Sequence, residues 1–326
     1  MSDTKYARRF FLMPLMLLLA GCIATFPEIP NPPTGSYRVS TSITYNLSDR
    51  TFLLHVPPYY TTNTPLPLVV VLHGAFSSGS QTETETGFSA LADTKRFLIA
   101  YPEGIWIFGL FQHWNAGHCC GKAASSHVDD VSFVAEVIST VRRKLSVDPA
   151  RIYMAGMSNG GMLAYRFVTE RANDLAAAAV VSAAIGSTTD NGMLPWRLQH
   201  PEKPFPIIGF HGLADETIPF KSAPFPPRNG KRLFLPVTDA IDFWQNSNGC
   251  EATPVSSISN NGTSQHLAWK NCQDGSSLKF VLLEGWGHQW PAPFFTNQLA
   301  ADHPLRGFDT TKQIWEFFSR FQRSGL

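Results

Sequence analysis

The chain has 326 residues, enough for one large α/β domain with a well-buried core. Its 26 Lys and Arg residues nearly balance its 25 Asp and Glu residues, and the formal net charge is +1. This balance gives no electrostatic basis for binding nucleic acid or a polyanionic substrate, and we expect neither.

The first residues have the pattern of an export signal. Basic residues precede a short apolar run from Phe10 to Ala20, which is too short to span a membrane. Leu19-Ala20-Gly21-Cys22 then resembles a bacterial lipobox, which is cleaved before Cys22 and carries lipid on its sulfur. We expect a lipoprotein signal peptide over 1–21 and membrane association by this lipid anchor only. An ordinary signal peptide is the alternative.

A proline-rich tether is predicted over 22–35, followed by one folded domain over 36–326. In that domain, apolar strand-like runs alternate with amphipathic helices, which predicts a mostly parallel sheet with helices on both faces. The predicted elements are, in chain order, a hairpin over 38–57, strands over 68–72 and 97–101, a helix over 129–146, a strand over 151–155, a helix from 161, strands over 178–184, 205–210 and 280–283, and a helix over 309–321.

Two neighbouring acids, Asp129 and Asp130, begin the predicted helix over 129–146. Carboxylates are favourable at a helix N-terminus because they accept hydrogen bonds from its free N–H groups and oppose the helix dipole. We therefore expect both acids to cap the helix and not to catalyse a reaction.

The most informative stretch is Gly156-Met157-Ser158-Asn159-Gly160. It follows the apolar run over 151–155 and precedes a helix, so Ser158 lies on a sharp strand-to-helix turn. The flanking glycines are required, because a Cβ at either position would collide with a neighbouring strand or helix. The pattern predicts a nucleophilic Ser158 at the top of the sheet; the alternative is a glycine-rich turn with an incidental serine.

A nucleophilic serine needs a base and an orienting acid, which in α/β-hydrolases follow in the order Ser, Asp or Glu, His. Asp215 follows the strand-like run over 206–212, so it is the predicted acid; Asp190 and Asp239 are weaker rivals. His288 follows the late strand over 280–283 in a glycine-lined loop, so it is the predicted base. His303 is its rival, but no strand precedes it.

The oxyanion hole should contain two backbone N–H groups. One should belong to Asn159, directly after the nucleophile. The other should come from the loop after the strand over 68–72, where Gly74 permits a close turn and the N–H of Ala75 is the candidate. His73 precedes the nucleophile in the chain, so we expect it to form structural hydrogen bonds.

With these blocks in place, the chain resembles the secreted polyhydroxybutyrate-depolymerase-like esterases, which include feruloyl and acetylxylan esterases of carbohydrate esterase family one. The resemblance spans about residues 36–321. The matching segments are LHG at 72–74, WNAGHCCG at 114–121, VDDVSFV at 128–134, DPARIYMAGMSNGGMLAYRF at 148–167, HGLADETIPF at 211–220, NGC at 248–250, GWGHQWP at 285–291 and TTKQIWEFF at 310–318.

The resemblance implies an α/β-hydrolase catalytic domain with Ser158 as nucleophile, Asp215 as acid and His288 as base. The chain departs from the family's pattern at Trp286 and Ala292, where glycine is common, and over 105–111, which is unusually apolar. These departures lie near the mouth of the site, so they bear on the substrate and leave the triad unchanged.

Only about twenty residues separate the predicted strands over 178–184 and 205–210, too few for a separate lid domain. We therefore expect an open cleft with an aromatic rim that binds the substrate through Trp114, Trp286 and Trp290. Trp106, Phe108 and Phe111 are further candidates for the rim. The alternative is that half of these aromatic side chains pack in the core.

Export favours disulfides. Once Cys22 is lipidated, four cysteines remain, and four cysteines allow three pairings. Cys250 follows a predicted helix and Cys272 ends a strand-like run, so a Cys250–Cys272 bond is plausible. Cys119 and Cys120 would then be a vicinal pair or free thiols. A zinc site is disfavoured because the chain lacks a spaced Cys/His ligand set.

These features predict a monomeric serine carboxylesterase that acts outside the cytoplasm without a metal or cofactor. It is either exported and anchored to the cell envelope or secreted. A polyhydroxybutyrate-depolymerase-like activity is the leading hypothesis, and a feruloyl or acetylxylan esterase acting on plant polysaccharide is the alternative. A catalytically silent envelope lipoprotein with a hydrolase fold and a serine peptidase are less favoured, the latter because nothing marks a pocket for a peptide.

Overall fold

The structure is a computed structural model that describes residues 32–107, 111–188, 196–221, 233–259 and 261–323. The predicted signal peptide, with Cys22, lies outside the described residues. Within the described ranges, no helix is both long enough and apolar enough to cross a membrane.

Fifteen strands and eight α-helices are formed by the described residues. The strands are β1 (Gly35–Tyr45), β2 (Ser48–Val56), β3 (Leu66–Leu72), β4 (Leu98–Pro102), β5 (Ile105–Ile107), β6 (Phe111–His113), β7 (Val147–Met157), β8 (Ala177–Val181), β9 (Gly186–Thr188), β10 (Trp196–Arg197), β11 (Ile207–Gly212), β12 (Leu233–Phe234), β13 (Val255–Ser259), β14 (Ser264–Ala268) and β15 (Leu278–Leu283). The helices are α1 (Gly79–Thr86), α2 (Phe88–Lys95), α3 (Gly121–Ser125), α4 (Asp130–Lys144), α5 (Asn159–Arg171), α6 (Val237–Ser247), α7 (Pro293–Thr296) and α8 (Thr310–Phe318).

Ten strands form one sheet in the order β1-β2-β4-β3-β7-β8-β11-β15-β14-β13. The six central strands, from β4 to β15, run parallel, and an antiparallel hairpin extends the sheet at each end. The mostly parallel sheet predicted from the sequence is therefore confirmed. The carboxyl ends of the central strands lie along one edge, where ligands of open α/β sheets bind.

The sheet separates two hydrophobic cores, because alternate side chains of a strand point to opposite faces. Val70 of β3 packs in a core with side chains of α4, α5 and α6. Val69 and Val71 face the other core, which includes side chains of α2 and α8. Helices thus cover both faces of the sheet, as predicted.

The sequence does not predict the two short strands that the structure has between β8 and β11. These strands, β9 and β10, make a separate three-stranded sheet with β12. The short β5–β6 hairpin was likewise not predicted; it follows β4 at the carboxyl edge of the large sheet.

Candidate active site

Ser158 lies on the turn between β7, which ends at Met157, and α5, which begins at Asn159. Its backbone has φ 52° and ψ −123°, a conformation that costs a non-glycine residue energy. A Cβ at Gly156 would overlap the backbone of Gly160, and one at Gly160 would overlap the backbone at the end of β3. The predicted collisions are therefore real, and they explain why glycine flanks this turn.

Ser158, His288 and Asp215 lie in one hydrogen-bonded line, although 130 residues separate the first two. The Nε2 of His288 is 2.9 Å from the Oγ of Ser158. The Nδ1 of His288 is 2.7 Å from the Oδ2 of Asp215. The three residues lie close together because they follow the carboxyl ends of the parallel strands β7, β11 and β15, which lie at one edge of the sheet. Ser158 follows β7, Asp215 follows β11 and His288 follows β15.

Asp215 is fixed by its own loop. Its Oδ1 accepts hydrogen bonds from the N–H groups of Thr217 and Ile218, at 2.8 and 2.9 Å. Burial alone would raise the pKa of the Asp215 carboxyl, but the hydrogen bond and charge of His288 and the N–H of Ile218 hold that pKa below its usual value. The carboxylate is therefore ionised at neutral pH and can accept the Nδ1–H of His288.

The other acids and the other base considered from the sequence lie elsewhere. Asp239 is in the first turn of α6, and Asp190 lies outside the described residues. His303 accepts a hydrogen bond from the N–H of Leu305 through its Nδ1.

The loop after β3 approaches the serine as expected for an oxyanion hole. A Cβ at Gly74 would lie 3.6 Å from the Cβ of Ser158, so the backbone of this loop passes directly beside the nucleophile. Ala75 follows, and Asn159 begins α5. The first N–H groups of a helix have no partner within the helix, so the N–H of Asn159 is available for a ligand.

Comparison with known proteins gives one family and a consistent set of relatives. Residues 50–191 match the family model described as "Esterase PHB depolymerase". The chain is 28% identical to "Feruloyl esterase B" of Piromyces equi over 241 residues, and 27% identical to "Putative esterase NocK" of Nocardia uniformis subsp. tsuyamanensis over 242 residues.

Over residues 50–191 this chain is similar to the polyhydroxybutyrate-depolymerase-like esterases.

The match to Feruloyl esterase B covers 73% of this chain but only 42% of that protein, and the match to NocK covers 70% and 67%. Among solved structures, the acetyl xylan esterase from Aspergillus awamori superimposes with a TM-score of 0.57 at 13% identity. That match covers 87% of this chain and 99% of the other, and it confirms the α/β-hydrolase fold of this chain.

Next to the serine loop, His73 has a structural role, as the sequence predicted. Its Nδ1 lies 2.7 Å from the carbonyl of Gly74, and its Nε2 accepts a hydrogen bond from the N–H of Gly104. Burial lowers the pKa of His73 to about 4, so the ring is neutral at physiological pH. The histidine thereby ties the loop that carries Ala75 to the end of β4.

The expectation that Asp129 and Asp130 both cap α4 is half right. Asp129 caps the helix, since its Oδ1 accepts from the N–H of Ser132 at 3.0 Å. Asp130 is instead buried, 2.6 Å from the guanidinium of Arg50, and accepts from the N–H of Asn115. Local sequence does not indicate this ion pair, because Arg50 comes from a strand 80 residues earlier.

The predicted aromatic rim is wrong for Trp114 and Trp290, which are buried in the two cores. Trp114 donates its indole N–H to the carbonyl of His73, and Trp290 donates to the hydroxyl of Thr311. Since each indole finds a partner inside the protein, burial of its large apolar surface is favourable. The prediction is wrong for Trp286 as well, because it is buried in the same core as Trp290, at 7% exposure, and donates its indole N–H to the carbonyl of Gln289.

Exposed aromatic side chains nevertheless lie on the loop after β3 and on the β5–β6 hairpin that this loop contacts. Trp106 and Phe111 of the β5–β6 hairpin are exposed, as predicted, while Phe108 lies outside the described residues. Phe76, which the sequence analysis missed, is 65% exposed one residue after Ala75. Its ring lies edge-on to the ring of Phe111, with centroids 5.6 Å apart.

The predicted disulfide between Cys250 and Cys272 is present, with an S–S distance of 2.07 Å. Cys119 and Cys120 are paired with each other in the loop before α3. Among the described residues, no group of three or more His, Cys, Asp and Glu side chains is arranged to hold a metal ion.

Proposed function

We propose that this chain is a serine carboxylesterase that hydrolyses esters through an acyl-enzyme on Ser158, with His288 as base and Asp215 as acid. The observation that carries the proposal is the line of hydrogen bonds through His288, at 2.9 Å to the serine and 2.7 Å to the aspartate. The strained backbone of Ser158 supports it, because such strain is concentrated at functional sites.

In the first half of the reaction, the Oγ of Ser158 attacks the ester carbonyl while its proton moves to the Nε2 of His288. The Asp215 carboxylate accepts the Nδ1–H, which keeps Nε2 free to take that proton and stabilises the imidazolium that forms. The negative charge on the former carbonyl oxygen is stabilised by the N–H groups of Ala75 and Asn159. The intermediate collapses as His288 protonates the departing alcohol.

In the second half, His288 removes a proton from a water molecule, and the hydroxide attacks the acyl carbonyl. The same two N–H groups stabilise the second oxyanion. Its collapse releases the carboxylic acid and returns the proton to Ser158.

Two classes of ester substrate fit this mechanism. The family model supports a polyhydroxybutyrate-depolymerase-like activity, whereas the similarity to a protein named Feruloyl esterase B supports the alternative of a feruloyl or acetylxylan esterase. A catalytically inactive lipoprotein with a hydrolase fold is disfavoured, because His288 is hydrogen-bonded to both the nucleophile and the acid.

Turnover of p-nitrophenyl acetate by the purified protein tests the activity, and its loss in Ser158→Ala tests the nucleophile. No turnover by the wild-type protein would support the silent lipoprotein instead. Rates on polyhydroxybutyrate, methyl ferulate and acetylated xylan would then rank the substrates. Activity at wild-type level in Ser158→Ala would refute the role of this serine.

We further propose that the protein acts outside the cytoplasm as a lipoprotein cleaved before Cys22, with a tether over 22–35 and the catalytic domain over 36–326. The Cys250–Cys272 bond supports export, because disulfides persist in oxidising compartments. The intact mass of the native protein tests the anchor. A mature chain without added acyl mass on Cys22, or Cys22→Ser processed like the wild type, would mean ordinary secretion.

A further inference from the structure

We propose that a groove beside the β1–β2 turn, which we call the side groove, binds one neutral sugar ring of a polymeric substrate whose ester lies at Ser158. The proposal rests on the proposed function only in placing the ester at that serine. The groove has a volume of about 220 Å³, below the roughly 300–1,000 Å³ of sites for drug-sized ligands, so it suits a single ring. Its lining includes Tyr45, Ser48, Asp49, Glu103, Gly104 and Trp106.

The side groove lies at the same edge of the sheet as the candidate active site. Gly104 follows the carboxyl end of β4 and donates its N–H to the Nε2 of His73. His73 precedes Gly74, whose backbone passes beside Ser158. Because β4, β3 and β7 are consecutive neighbours, two steps of about 4.8 Å each separate the strand ends that carry Gly104 and Ser158. A polymer can span this distance.

Trp106 supplies a flat apolar wall to the side groove. It is 49% exposed, which leaves part of the indole open to a ligand. Its position is fixed by its cross-strand partner Gln112, whose amide donates to the buried carboxylate of Glu103 at 2.7 Å. Glu103 also accepts from the N–H of Gly79, so the hairpin and the groove wall share one anchor.

The polar lining is suited to a neutral ligand rich in hydroxyl groups. Two charged side chains of the wall are already paired: Glu103 with Arg38 at 3.1 Å, and Arg50 with Asp130 at 2.6 Å. The hydroxyls of Tyr45 and Ser48 can each donate and accept, and the carboxylate of Asp49 accepts. Sugar hydroxyls match this mixture, whereas a polyhydroxybutyrate chain has no donors along its length.

The test measures binding of xylohexaose to the Ser158→Ala protein by titration calorimetry. We expect saturable binding that Trp106→Ala weakens about tenfold, equivalent to about 1.4 kcal/mol, and that Asp49→Asn weakens as well. Tyr59→Ala is the matched control, because it removes an aromatic side chain that is 85% exposed in the loop leading to β3, at the opposite edge of the sheet. This control should bind xylohexaose like the parent.

Absence of xylohexaose binding, or equal weakening by Trp106→Ala and Tyr59→Ala, would overturn the sugar site. Adsorption to polyhydroxybutyrate particles that depends on Trp106, without oligosaccharide binding, would also overturn it. Turnover of p-nitrophenyl acetate by the wild-type protein is measured separately. Failure of that turnover counts against the proposed esterase, and failure of binding counts against the groove.

Discussion

The side chain of Asn159 holds the backbone of Trp114 at both of its polar groups. Its Oδ1 accepts from the N–H of Trp114 at 2.8 Å, and its Nδ2 donates to the carbonyl at 3.1 Å. One residue therefore offers a backbone N–H beside the serine and fixes the loop that packs against His73. Asn248 forms the same pair of bonds with the backbone of Phe205, before the start of β11.

The twin arrangement allows a matched test of Asn159. Asn159→Ala leaves the buried N–H of Trp114 without its partner, while the carbonyl of Trp114 keeps only the hydrogen bond from the N–H of Cys120. The loss should lower the free energy of unfolding by about 1–3 kcal/mol. It should also lower kcat on p-nitrophenyl acetate. Asn248→Ala should destabilise to a similar extent without lowering kcat, as measured by urea denaturation and initial rates. Equal kcat values for the two variants would contradict a positioning role for Asn159.

The triad predicts strongly non-additive kinetics. Ser158→Ala and His288→Ala should each lower kcat on the order of 10⁴–10⁶-fold, and the double variant should lose little more, because the residues act as a unit. Asp215→Asn should also be severe, since the amide stabilises the wrong tautomer of His288. Initial rates on one ester measure all four variants. Multiplicative losses in the double variant would show that the residues do not act together.

Buried histidines predict a loss of stability in mild acid. Burial lowers the pKa of both His73 and His211 to about 4, against about 6.5 in the unfolded chain. Between pH 6.5 and 4 the unfolded state binds more protons, so each histidine should lower stability by up to about 1.4 kcal/mol per pH unit as the pH falls. Urea unfolding across this range measures the slope.

His211→Gln provides the control for the pH slope, because it removes one titrating group. Between pH 6.5 and 4, the slope of unfolding free energy against pH should fall by up to about 1.4 kcal/mol per pH unit, which corresponds to one proton. An unchanged slope would mean that His211 is not held neutral in the folded protein.

The Cys250–Cys272 bond closes a loop with a sequence separation of 22 residues. Removing it with Cys250→Ala and Cys272→Ala together should lower the free energy of unfolding by roughly 2–4 kcal/mol, mainly because the unfolded chain gains freedom. Urea denaturation measures the loss, and non-reducing peptide mapping of the wild type should recover the linked peptides. Two free thiols in exported protein would contradict the bond.

Phe76 should influence which acyl groups are accepted. It has φ 68° and is 65% exposed, two unfavourable features for a bulky apolar residue, directly after Ala75. Phe76→Ala should raise KM for methyl ferulate more than for p-nitrophenyl acetate, because an aromatic acyl group loses a stacking partner. Phe294→Ala is the control, because it removes a 45% exposed ring in α7. It should not raise the KM for methyl ferulate relative to the KM for p-nitrophenyl acetate.

Local patterns in the sequence predicted the central strands and the serine turn. The strand before Ser158 is a continuous apolar run, and the glycines at 156 and 160 are dictated by contacts within the turn itself. Asp215 and His288 could be found because parallel strands place the residues that follow them at one edge. Each inference needed only the order of elements along the chain.

The residues that sequence reasoning missed depend on contacts between distant segments. Asp130 looks like a helix cap until Arg50 is seen beside it, and nothing near either residue indicates the other. Trp290 and Trp106 both lie in loop-like sequence, but only the fold shows that one is 1% exposed and the other 49%. Burial of an aromatic side chain depends on what packs over it, which the local sequence does not contain.

At Ser158, the residue that would make the protein more stable to heat differs from the residue that the proposed reaction needs. Glycine adopts the backbone conformation of this residue without strain, so a chain selected only for resistance to heat would gain by replacing the serine. That replacement removes the hydroxyl on which the proposed chemistry depends. Retention of a side chain on this turn thus indicates selection for activity against a local preference for stability.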